Sequence, residues 1–195
     1  MKKITLLLVF VAASLAVSAQ IPMGTKYVGG TVGFNSSKSN AKNAEAVTSY
    51  SLSPEVGYFF MENMAVGLRL GIEGSSQKDN FSSTAFGVGA YVRKFWNASD
   101  NLHIFVGLGV DYAAQTVKDE TPINGPDQKF NTFGAGLDLG LWYHLSERWS
   151  LVGRIGTLGF SSTSNPDDDQ AGSTDFGLNV NTIGNPFSIG VFYSF

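Results

Sequence analysis

Phe187-Ser188-Ile189-Gly190-Val191-Phe192-Tyr193-Ser194-Phe195 stands at the C-terminal end of the sequence and decides how the rest is read. Its odd positions are Phe187, Ile189, Val191, Tyr193 and Phe195, while its even positions are Ser188, Gly190, Phe192 and Ser194. Side chains on a strand alternate between two faces, so this pattern predicts a strand with one greasy face. Running to a final aromatic residue, it should be held within a sheet. What that greasy face meets has to come from the other segments.

Working outward, the same two-residue alternation recurs along the chain. The second run sets Tyr50, Leu52, Val56, Tyr58 and Phe60 against Ser49, Ser51, Ser53, Glu55 and Gly57. The third sets Val66, Leu68, Leu70 and Ile72 against Gly67, Arg69, Gly71 and Glu73. The fourth sets Phe86, Val88, Ala90, Val92 and Trp96 against Gly87, Gly89, Tyr91, Arg93 and Phe95. The fifth and sixth repeat the pattern, with Asp111 and Asp138 on their second faces. Together with a first run over residues 26–35, a seventh over 149–161 and the C-terminal one, this makes eight segments. Short turns near Met61, Asn97 and Ser146 alternate with polar stretches at 36–45, 75–83, 115–129 and 162–173.

Segments of about ten alternating residues, with short turns on one side and longer loops on the other, are the signature of a transmembrane β-barrel. Hydrocarbon demands that every backbone polar group be paired, which a closed sheet achieves, and that outward side chains be apolar. The fold class is therefore read as all-β, an eight-stranded antiparallel up-and-down barrel. A soluble barrel would turn its apolar face inward and carry dense charge outside. Here the second face is read as Gly, Ser and Thr with single charges, a poor solvent surface, and only 15% of residues are charged. Tyr58, Phe60, Trp96, Tyr143, Trp149, Tyr193 and Phe195 fall beside the short turns, as one interfacial girdle should. Phe34, Tyr50, Phe86, Tyr112, Phe133 and Phe176 are placed for the other. Two irregularities are expected: a bulge near Gly156 and Thr157 that leaves Arg154 inward, and a phase slip between Asn181 and Pro186.

The first residues form a separate signal. Lys2 and Lys3, the apolar run 4–17 and the small residues Ser18 and Ala19 predict a secretory signal peptide over 1–19, leaving 20–195 as one barrel domain. Removing Lys2 and Lys3 from the 13 basic residues leaves 11 against 16 acidic ones, a formal charge of about −5 that offers nothing to nucleic acid. Zero cysteines exclude disulfides and thiolate metal sites.

Met23-Gly24-Thr25, the segment Ser53-Pro54-Glu55-Val56-Gly57-Tyr58-Phe59, Val92-Arg93 and the terminal Tyr193-Ser194-Phe195 resemble the small outer-membrane barrels of the porin, OmpX/OmpA-like family. The likeness spans essentially the whole mature chain, and its motifs are specific to architecture rather than activity. It implies an outer-membrane monomer of a Gram-negative-type bacterium, in contact with lipid and lipopolysaccharide. It also implies help from periplasmic chaperones and the barrel-assembly machinery, with Tyr193 and Phe195 as the assembly signal. Both mature termini would be periplasmic. Pro54 departs from the general rule, since proline costs a ladder hydrogen bond.

Inside a barrel of eight strands there is room for side chains or one small ligand. Glu55, Arg69, Glu73, Arg93, Asp111, Asp138 and Arg154 are placed on that inner face as a polar network. With a three-residue turn at Met61, Glu62 and Asn63, Glu55 faces Arg69 and should pair with it. Such a network reads as a plug, or alternatively as the constriction of a narrow porin. A lipid-modifying enzyme is the remote alternative: His103 and His144 sit beside short turns, without a G-x-S-x-G motif or any other catalytic signature. No catalytic, cofactor or metal residue is assigned. Asp167, Asp168 and Asp169 read as a solvated loop, with cation binding left open.

Overall fold

The computed structural model describes residues 20–38, 45–119, 126–180 and 189–195, so the signal-peptide segment 1–19 lies outside the described residues. The alternating runs form β1 (Lys26–Ser37), β2 (Val47–Met61), β3 (Met64–Gln77), β4 (Phe81–Asn97), β5 (Leu102–Asp119), β6 (Gln128–His144) and β7 (Trp149–Asn165), followed by β8 (Asp168–Val180) and β9 (Ile189–Ser194). Each strand from β1 to β7 is antiparallel to the next. Both β8 and β9 pair with β7, so together they fill the eighth position of the wall. β9 also pairs with β1, from Tyr27 opposite Ser194 to Val32 opposite Ile189. Lys26 and Phe195 exchange two backbone hydrogen bonds of 2.9 Å at the end of that seam. The sheet thereby returns on itself as an eight-position ring.

Side-chain exposure follows the alternation. Val28, Val56, Leu68, Val88, Leu108, Leu137 and Val191 face outward and are exposed, as are the girdle residues Tyr58, Trp96, Tyr143 and Trp149 at the short-turn end and Phe34, Phe86, Phe133 and Phe176 at the other. An isolated sheet would not leave so many large apolar groups bare in water. A lipid environment gives them their solvent.

Local irregularities differ from expectation in instructive ways. The β2–β3 turn is two residues, Glu62 and Asn63, rather than three, because Met61 pairs with Met64 and the register shifts between Phe59 and Met61. Asn63 takes a positive φ of 56°, a conformation asparagine tolerates. The extra residue restores the register that a three-residue turn would have set. Around Pro54 the β2–β3 ladder breaks between Leu52 and Glu55 and resumes in the same register, while Pro54 keeps its place opposite Gly30 of β1. The missing N–H thus costs pairing on one edge only.

On β7 the register shifts where Leu139 faces Gly156 and Gly140 faces Arg154, which puts the extra residue at Ile155, just before the expected site. Arg154 points inward, as expected from the sequence. Gly156 faces Val180 of β8 and Gly153 faces Ile189 of β9. The expected slip between Asn181 and Pro186 lies outside the described residues. Two of the long polar stretches, 75–83 and 162–173, are largely strand: β7 and β8 meet at Pro166 and Asp167, and β3 and β4 continue to Gln77 and from Phe81. Hydroxyl pairs across the ladder, Ser49 with Ser75 at 2.9 Å and Thr132 with Thr163 at 3.0 Å, help hold these polar hairpins together.

Candidate functional site

The inner face is layered. At the short-turn end Tyr27, Phe59, Phe95, Phe105, Trp142 and Phe192 are all buried and stack edge-on or tilted, with centroid distances such as 5.1 Å for Trp142–Phe192 and 5.2 Å for Phe59–Phe95. The segment preceding β1 closes this end: Ile21 is buried in the aromatic cluster, its N–H donates to Asn63 Oδ1 at 2.8 Å, and Gly24 N–H donates to the Phe59 carbonyl at 2.8 Å. The inner face is therefore not merely Gly, Ser and Thr with single charges. Its short-turn half is an aromatic plug.

Above the aromatics lies a layer of ions whose geometry depends on glycines. Arg69 on β3 faces Gly89 on β4, which faces Asp111 on β5. With no side chain at Gly89, Arg69 lies across it and binds Asp111 with two bonds, Nε at 2.6 Å and Nη2 at 2.5 Å. The device repeats one strand further on, where Arg93 faces Gly107 and Gly107 faces Asp138, with Arg93 Nε 3.4 Å from Asp138 Oδ2. Arg93 also donates to Glu55 Oε2 at 2.8 Å and lies over the Tyr91 ring at 3.9 Å. Arg154 reaches the other oxygen of Glu55. Tyr27 and Tyr91 lie over Gly57 and Gly67 and share a 2.9 Å hydrogen bond between their hydroxyls.

Six of the seven expected inner residues, Glu55, Arg69, Arg93, Asp111, Asp138 and Arg154, join this layer. One pairing is corrected. Glu55 does stand opposite Arg69 in the ladder, yet its carboxylate binds Arg93 and Arg154 while Arg69 turns to Asp111. Inward side chains converge toward the barrel axis, so a partner on a more distant strand can be nearer than the register neighbour. Glu73 is the seventh and stays apart: it is exposed, on the lumen wall toward the long-loop end. There a cavity of about 560 Å³ lies above the ionic layer, lined in part by Ser53, Glu73, Asp111, Arg154, Ser161 and Asp175.

At the opposite end, His103 and His144 stack edge-to-face at 5.0 Å and Ser150 Oγ lies 3.0 Å from His144 Nδ1. Ser150 is fully buried. Asp167 is exposed and 3.8 Å from Lys129, while the side chains of Asp168 and Asp169 lie outside what the structure describes. Among the described residues no group of three or more His, Asp or Glu is placed to hold a metal ion. Tyr193 packs on Trp149 at 5.1 Å and on Phe195 at 6.2 Å, and its hydroxyl accepts from Arg148 Nη1 at 3.1 Å.

A closed antiparallel ring with an apolar outer belt, aromatic girdles and a filled polar-aromatic interior defines an integral membrane β-barrel. The family pattern described as the outer membrane protein beta-barrel domain matches residues 5–195, and the chain belongs to that family. It is an integral outer-membrane protein of a Gram-negative bacterium. In solved structures it is similar to Neisserial surface protein A, with a TM-score of 0.53 at 12% identity over 88% of this chain and 97% of the other. It is likewise similar to OprG of Pseudomonas aeruginosa, with a TM-score of 0.51 at 16% identity over 89% and 97%. These likenesses concern the fold. No curated protein matches the chain in sequence.

Proposed function

We propose that the protein serves the envelope as a plugged barrel, acting through its structure and the hairpins of its long-loop end rather than by conduction or catalysis. One observation carries this reading. The lumen is crossed by fully buried side chains, with Phe59, Phe105, Trp142 and Arg93 at 0% exposure, so a solute entering the 560 Å³ cavity meets a packed floor. In this reading residues 1–19 are a cleaved signal peptide, the chain is monomeric, and the short-turn end with both mature termini faces the periplasm. The outer belt contacts lipid and lipopolysaccharide, and the hairpins ending near Ser37, Gln77, Asp119 and Asn165 face outward to a surface partner. Tyr193 and Phe195 act as the signal read by the assembly machinery, supported by their position at the closing seam.

The cavity itself favours one second reading, a narrow porin whose constriction is the ionic layer. Planar-bilayer recording separates the two. The plugged barrel gives no stable single-channel steps, whereas steps whose size changes in Arg69→Ala or Arg93→Gln would establish the porin and overturn the plug.

A further inference from the structure

We propose that His103 and His144 form a binding site for a borderline divalent transition-metal ion, Zn²⁺ or Cu²⁺, at the short-turn mouth of the barrel. The inference goes beyond the envelope role and does not depend on it. Three observations carry it. First, His103 is 1% exposed and neither of its ring nitrogens has a hydrogen-bond partner, an unfavourable state for a buried imidazole unless something else engages it. Second, His144 is oriented through Nδ1 by the buried hydroxyl of Ser150 at 3.0 Å, which leaves Nε2 as its free nitrogen. A ligating imidazole is commonly held in this way through its other nitrogen. Third, two imidazoles bound to one tetrahedral ion at about 2.0–2.1 Å have ring centroids roughly 5 Å apart. The observed separation is 5.0 Å, with the rings 88° apart.

The fold makes the pair. His103 stands near the start of β5 and His144 ends β6, while Ser150 faces His144 from β7. His144 is partly exposed and gives an ion access from outside, while Trp142 and the aromatic layer close the other side. With two protein ligands, the remaining positions go to water, which makes the site exchangeable rather than structural. Imidazole ligands select Zn²⁺ and Cu²⁺ over Mg²⁺ and Ca²⁺.

The chain contains two histidines in all, so histidine-dependent metal binding reports this pair alone. The test uses the untagged, folded protein in detergent, dialysed against Zn²⁺ and assayed for bound metal. One ion per chain is expected, falling in His103→Gln and in His144→Gln to the level retained by the double variant. Ser150→Ala should weaken binding by roughly 10-fold or more through loss of the orienting bond. Cu²⁺ electron paramagnetic resonance should show coupling to two imidazole nitrogens, reduced by either histidine substitution. Equal Zn²⁺ uptake by wild type and double variant, or a Cu²⁺ spectrum unchanged in His144→Gln, would overturn the site. Heat-modifiable migration establishes that each variant is folded, and if His103→Gln fails to fold, the rim variant His144→Gln with the Cu²⁺ spectrum decides alone.

Discussion

Replacing Glu55 with glutamine should be among the most damaging single changes in the barrel, although it alters almost no volume. Glu55 binds Arg93 through one oxygen and Arg154 through the other, and the Glu55 and Arg93 side chains are both 0% exposed. In the ionic layer Arg69, Arg93 and Arg154 are matched by Glu55, Asp111 and Asp138, so neutralising Glu55 leaves three cations over two anions. Glutamine keeps one oxygen acceptor and turns an NH₂ donor toward the other guanidinium, placing donor against donor. Breaking a buried ion pair by removing one partner typically costs about 3–5 kcal/mol. Asp111→Asn provides the contrast. The Asp111 side chain is 42% exposed, and solvent screening limits its loss to about 1 kcal/mol. Urea unfolding of protein refolded into lipid vesicles, followed by tryptophan emission and by gel mobility before and after boiling, measures both. Adding Arg154→Gln to Glu55→Gln should recover part of the loss, because the uncompensated cation is then gone. A Glu55→Gln loss no larger than that of Asp111→Asn, or no recovery in the double variant, would refute the argument that this layer is held by buried charge balance.

Gly107→Ala would place a methyl carbon 1.9 Å from Asp138 Oδ1 and 3.0 Å from Arg93 Cγ, so the buried carboxylate must move. A loss of about 1–3 kcal/mol is expected in the same unfolding assay, while Gly177→Ala, which meets nothing within 4 Å, should be tolerated. Phe105→Ala removes a fully buried ring from the aromatic plug and should cost about 3–5 kcal/mol, read as a lower urea midpoint. Deleting Phe195, a residue 65% exposed, should reduce membrane yield in cells far more than it lowers the stability of protein refolded in vitro. Equal effects on both would remove the assembly-signal reading.

Much of this was legible in the chain because a strand's period of two residues leaves few choices. Once Val66, Leu68 and Leu70 face one way, Gly67 and Arg69 must face the other, and the girdle residues fall at the strand ends without further information. The aromatic plug has its own signal in the sequence: Tyr27, Phe95, Phe105, Trp142 and Phe192 all share the inward parity and all lie toward the short-turn end of the barrel. Several stand opposite an inward glycine, as Tyr27 does Gly57 and Phe105 does Gly140. Read as strand-by-strand alternation, such aromatics look like interruptions. Read across the register, they are large groups over gaps shaped to take them. The bulge on β7 was expected next to its observed place at Ile155, whereas the one at Phe60 was not, because one extra residue costs little locally and is placed by the partner strand.

The sequence alone determined that the chain alternates, that its apolar face needs lipid, and that seven named ionisable groups point inward. Alternation is a property of the backbone and needs no knowledge of neighbours. Only the tertiary structure decided who binds whom. Closing the sheet brings Arg154 to Glu55 across 99 residues and Tyr27 to Tyr91 across 64, contacts set by the geometry of the enclosed lumen. Inside a ring, distance is measured across the axis, and no one-dimensional pattern records it.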